Sequence, residues 1–153
     1  MLNIPEEEAR SLVSRPLFCE DMEAWSPLKV QPGTVGCGAG ILDENGLGAR
    51  MYVELTYRTS HKTKITTYIF TLFKRHAHGN DRVYQLEVRQ TPKRVRDLHK
   101  LSHEHMGSLR NDGGVNWDSW TYEDVFAHFC KATNLTFKPK PPHPEEFKLT
   151  ADR

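Results

Sequence analysis

Three runs of β-forming residues dominate the middle of the chain: "ARMYVELTYR", "KITTYIFTLFKR" and "RVYQLEVRQ", joined by the polar segments "TSHKT" and "HAHGND". In the first run Met51, Val53, Leu55 and Tyr57 alternate with Tyr52, Glu54, Thr56 and Arg58. In the third, Tyr84, Leu86 and Val88 alternate with Gln85, Glu87 and Arg89. Period-two alternation sends one set of side chains into a core and leaves the other outside. The middle run is apolar on both faces, with Ile65, Ile69 and Phe73 against Tyr68, Phe70 and Leu72. Such a run suits a central strand. Short polar turns between consecutive strands make this an antiparallel meander, with 51–58, 64–73 and 82–90 as neighbours.

Two helical patterns flank the meander. Pro5 followed by "EEEARSLVSR" places proline in a first turn and acids near the positive end of the helix dipole, with Ala9, Leu12 and Val13 as a short apolar stripe. In "TYEDVFAHFCKAT", Tyr122, Val125, Phe126, Phe129 and Cys130 recur at helical spacing, and Thr121 with Asp124 forms a capping-box pattern. The expected fold class is α+β: an antiparallel meander sheet of four or more strands, with an N-terminal and a C-terminal helix packed on one face. Phe70, Leu72, Leu86, Val88, Val125, Phe126 and Phe129 are its expected core. Residues 1–138 form a single domain in this reading. Residues 16–48, which include the six glycines of "QPGTVGCGAGILDENGLG", are read as a long irregular loop with one short strand over 40–43. Residues 139–153 are read as a proline-rich, charged and solvated tail.

Composition narrows the function classes. A formal net charge of +1 argues against a globally basic nucleic-acid binder, but leaves room for a local patch. No apolar run is long enough to span a membrane, and "MLNIPEEEAR" has acids where an export signal has a basic region. Cys19, Cys37 and Cys130 are widely spaced with no C-x-x-C, which suits a reducing compartment. The expected location is therefore the cytoplasm.

The segment "DLHKLSHEHMGSL" at 97–109 carries His99, His103 and His105. On a strand, His103 and His105 share a face with Leu101 and Leu109, and Ser102, Glu104 and Met106 take the other. Three roles are open to these imidazoles. They can chelate a divalent ion, with Glu87 or Asp97 completing the shell; they can transfer protons or contact a substrate; or they can be hydrogen-bonded structural residues. No tightly bound metal is expected, because no thiolate pair accompanies them. The connector "RQTPKRVRDLHK" adds Arg89, Lys93, Arg94, Arg96 and Lys100 against a single Asp97. Clustered guanidinium and ammonium groups neutralise phosphates.

Other features are weaker. "GTVGCGAG" lacks the Lys-Ser/Thr of a phosphate loop, and Cys37 within it is a poor candidate for a nucleophile. Cys130 lies on the apolar stripe of its helix, and His128 on the polar side, where it needs no function. His76 and His78 belong to a hairpin loop.

The order of elements, with "TYIFTLF", "VYQLEV", a histidine after a connector and then "HEH", resembles small bacterial families with an H-x-H segment found in toxin–antitoxin or mobile-element loci. The TumE-type toxin-like family is the named one, and the resemblance covers roughly residues 50–135. His99, His103 and His105 fall on its histidines. Gln85-Leu86-Glu87 stands where the family tends to have Arg-x-Asp, and Leu98 precedes the first histidine. The resemblance implies a toxin-like protein. Combined with the basic connector, the expected function is contact with RNA or another phosphate-rich ligand, in its enzymatic form a metal-independent ribonuclease. His99, His103, His105 and Glu87 would be catalytic; Arg89, Lys93, Arg94, Arg96 and Lys100 would bind the ligand. The alternative is a non-catalytic module that binds a cognate protein, as inhibitor, antitoxin or accessory factor, using Trp25, Trp117 or Trp120 as anchors.

Overall fold

The structure is a computed structural model that describes residues 2–29, 31–60, 62–90 and 102–146. Its framework is a mixed nine-stranded sheet with few helices, an α+β architecture. In chain order the elements are α1 (Glu6–Leu12), β1 (Leu17–Cys19), β2 (Ser26–Pro27), β3 (Thr34–Leu42), β4 (Gly48–Thr59), β5 (Thr66–His76), β6 (Gly79–Gln90), β7 (His103–Met106) and β8 (Leu109–Asp112). A 3-10 turn (Val115–Ser119), α2 (Tyr122–Thr133) and β9 (Leu135–Phe137) follow. The strand order is β8-β7-β6-β5-β4-β3-β1-β9, with β2 also paired to β3.

The expected meander is present. β4, β5 and β6 are consecutive antiparallel neighbours, and β5 lies in the interior of the sheet. Registers Leu55↔Phe70 and Phe70↔Leu86 put the alternating apolar residues of all three strands on one face. Phe70, Leu72, Leu86, Val88, Val125, Phe126 and Phe129 are all buried. Helix α2 reaches β5 and β6 through ring contacts, Phe70–Phe129 at 5.7 Å, Tyr84–Phe129 at 5.8 Å and Tyr68–Tyr122 at 6.3 Å. Its first turn is closed by the capping box: Thr121 Oγ1 accepts from the Asp124 amide, and Asp124 accepts from the Thr121 amide. Helix α1 borders β6 and β7.

The glycine-rich stretch departs from the expected loop. Residues 34–42 form a nine-residue strand, β3, paired along most of its length with β4. Val35, Cys37, Ala39 and Ile41 point into the core, so the glycines occupy the alternate positions. At Gly38 the reason is steric. A Cβ there would collide with the ring and hydroxyl of Tyr52, which lies across β3 with the Arg75 guanidinium stacked 4.6 Å above it.

"KLSHEHMGSL" also differs from the single strand expected of it. The chain reverses at Gly107–Ser108, so β7 and β8 form a hairpin with Met106 opposite Leu109. Gly107 has φ +56°, and a Cβ there would collide with the backbone of Ile4 and Pro5. A side chain fits neither requirement.

Residues 139–146, expected to be a solvated tail, are packed. The Trp25 indole donates to the Pro142 carbonyl at 2.8 Å, the Tyr122 hydroxyl donates to the Pro141 carbonyl at 3.0 Å, and His143 lies 4.9 Å from the Tyr122 ring. Apolar prolines beside aromatic rings, with their carbonyls taken by indole and phenol donors, leave little reason for this segment to stay in water.

Candidate functional site

Strand β7 carries chemistry on both of its faces. Pairing with β6 sets Gln85 opposite His105 and Glu87 opposite His103, so both histidines stand on the sheet face that also bears Gln85 and Glu87. The two imidazoles meet edge to face with ring centroids 5.0 Å apart. His103 Nδ1 lies 3.7 Å from Glu87 Oε2, and Arg89 Nε lies 3.5 Å from the same oxygen. The Arg89 Nε is buried and has no hydrogen-bond acceptor among the described residues. Next to this group, Arg82 donates to Gln85 Oε1 at 2.6 Å, and Gln85 donates to Thr71 at 2.9 Å.

The two histidines differ in burial. His103 is 8% exposed. Burial, then the positive charges of Arg82, His103 and Arg110, push the His105 imidazole down to about 4. The ordinary imidazole value of 6.5 does not apply to it. His105 is therefore neutral throughout the physiological range, with a lone pair available to accept a proton.

Of the residues singled out from the sequence, His103, His105, Glu87 and Arg89 are brought together. His99, Lys93, Arg94, Arg96 and Lys100 lie outside the described residues. Among the described residues no group of three or more His, Cys, Asp or Glu is arranged to hold a metal ion. No helix of the described residues is long and apolar enough to cross a membrane.

On the opposite face of β7, Glu104 pairs with Leu86 and faces α2, where sequence reasoning assigned no role. Its Oε1 accepts from the Tyr84 hydroxyl at 2.6 Å and lies 2.9 Å from His128 Nε2, and its Oε2 accepts from Asn111 at 3.0 Å. The His128 hydrogen bond first, then those from Tyr84 and Asn111, hold the carboxyl down at about 2 despite its burial. His128, read as an idle surface residue, is instead half-buried between Glu104 and a stacked pair of indoles. Trp117 and Trp120 are 4.5 Å apart, each 5.1 Å from the imidazole. The signal available in the sequence was the acid between two histidines in "HEH". Its partner lay too far along the chain to be found by spacing.

Cys37 is buried and its thiol is pushed up to about 12 by burial; Cys130, half-buried in α2, reaches about 12 for the same reason. Neither is a nucleophile at neutral pH. No family model, no curated protein and no solved structure matches the chain.

Proposed function

We propose that the face carrying His103 and His105 contacts RNA, or another phosphate-rich ligand, and that in its enzymatic form the protein is a metal-independent ribonuclease. In this reading both helices pack on the other side of the sheet and leave the histidine face to the ligand. The observation that carries it is the edge-to-face contact of His103 and His105 beside Glu87 and Arg89. Neutral His105 takes the proton of a ribose 2′-hydroxyl, and the freed oxygen attacks phosphorus. The bond from phosphorus to the 5′-oxygen breaks, and that oxygen receives a proton from His103, whose cationic form Glu87 supports. The products are a 2′,3′-cyclic phosphate and a 5′-hydroxyl. Arg89 offsets the charge that develops on phosphorus, while Lys93, Arg94, Arg96, Lys100 and His99 of the connector contact neighbouring phosphates. Such a protein acts as a small cytoplasmic toxin-like or mobile-element factor.

The non-catalytic alternative has less support. Trp25 is 3% exposed and bonded to Pro142, while Trp117 and Trp120 are half-buried and stack on each other and on His128.

The test is incubation of the purified protein with single-stranded RNA in excess chelator, scored for cyclic-phosphate ends. Cleavage by the wild type, lost in His105→Ala and His103→Ala with folding unchanged, is the expected result. RNA left intact, with no salt-dependent binding either, removes the reading.

A further inference from the structure

A second site lies on the helix side of the sheet, independent of the histidine face. Arg10 of α1, Lys131 and Ala132 of α2, and Met106 and Leu109 of the β7–β8 hairpin line a cleft of about 350 Å³ with Glu104 in its wall. That volume is at the lower end of the range for small-molecule sites.

Its electrostatics are lopsided. Glu104 is the one carboxylate in the lining, and Tyr84, His128 and Asn111 already occupy its oxygens. A carboxylate so satisfied has little left to offer a cationic ligand. The cations are less committed. Lys131 has no ion-pair partner among the described residues, and Arg10 uses only its Nε, on Glu6, leaving the terminal nitrogens of its fork. The lining also offers apolar surface: Leu109 is 42% exposed, and Met106 and Ala132 border the same cleft.

We infer that this cleft binds a small amphiphilic anion, an aliphatic carboxylate whose head meets Arg10 and Lys131 and whose chain lies along Met106, Leu109 and Ala132. Glu104 then shapes the site rather than filling it. Its three hydrogen bonds fix Tyr84, His128 and Asn111 in the wall.

The experiment is a heteronuclear NMR titration of the full chain with octanoate, and in parallel with octylammonium. Octanoate should give saturating shifts at the amides of Met106, Leu109, Lys131 and Ala132. Octylammonium should give none there. The double variant Arg10→Glu, Lys131→Glu changes only exposed side chains, and should weaken octanoate binding about tenfold or more, as loss of charge-assisted contacts does. Ala132→Leu, which fills the cleft without altering charge, should weaken it as well. Octanoate shifts that never saturate, shifts confined to the histidine face, or octylammonium binding as well as octanoate would overturn the inference. Failure here leaves the ribonuclease reading untouched, because the RNA assay reports on the other face.

Discussion

Glu104 and His128, 24 residues apart in the chain, are joined by a 2.9 Å hydrogen bond that ties strand β7 to helix α2. The same carboxylate oxygen accepts from Tyr84, so a single ionised group holds a strand, a helix and a buried phenol together. Glu104 has a folded-state value of about 2, below its ordinary 4.5. A depressed carboxylate contributes stability above its ordinary value and loses it as pH falls through the folded one. Denaturant titrations of the wild type should therefore show stability falling between about pH 4.5 and about pH 2. In Glu104→Gln that slope should flatten, and stability at pH 7 should drop by about 2 kcal/mol. Parallel curves for the two proteins would mean that the carboxyl is not held down in the folded state.

His105 gives the second pH signature. Its imidazole is held at about 4, below the ordinary 6.5, so the unfolded chain takes up its proton first as the solution is acidified. Stability from this group is complete above 6.5 and declines as pH falls toward 4. NMR should record a His105 ring titration near 4. If His105 is the base, the acid limb of RNA cleavage should follow that value rather than 6.5. A ring midpoint above 6 contradicts the neutral-base assignment directly.

Gly38 and Tyr52 share one space. Gly38→Ala should cost about 1–3 kcal/mol through overpacking against the Tyr52 ring. In a Tyr52→Ala background the same change should cost much less, and the difference is the coupling read from a double-mutant cycle. Additive costs would show that Tyr52 does not lie across β3.

The cap of α2 is a smaller test. Thr121→Ala removes the acceptor of the Asp124 amide and should destabilise the protein by about 1 kcal/mol. Thr121→Ser should retain most of the stability. Equal stability in all three proteins would show that the box contributes nothing.

What could be seen in the sequence followed from local periodicity. Strand β4 alternates from Met51 and β6 from Tyr84, β5 is apolar on both sides, and the stripe of α2 carries its own cap, so these elements and their burial were readable. Strand β3 alternates too, Val35-Gly36-Cys37-Gly38-Ala39-Gly40-Ile41, but with glycine at every outward position. Glycine usually marks turns, and the close approach of Tyr52 to Gly38 is a tertiary fact. The reversal at Gly107 was hidden for the same reason: its cause is the backbone of Ile4 and Pro5, a hundred residues away. His103 and His105 were placed together because a two-residue spacing is a strand property. Glu104 and His128 were not, because a strand and a helix meet only once the sheet has folded.

The parallel pairing of β1 with β9, Leu17 opposite Leu135, gives the protein a timetable as it is made on the ribosome. The meander can pair as soon as β6 has been synthesised, since β4, β5 and β6 are consecutive hairpins. β1 must wait for a partner translated about 120 residues later, so its outer edge emerges early and stays uncovered through most of synthesis. During that interval the nascent chain presents an open strand edge to its neighbours and to chaperones. Stalled translation anywhere before Leu135 would leave it in that state.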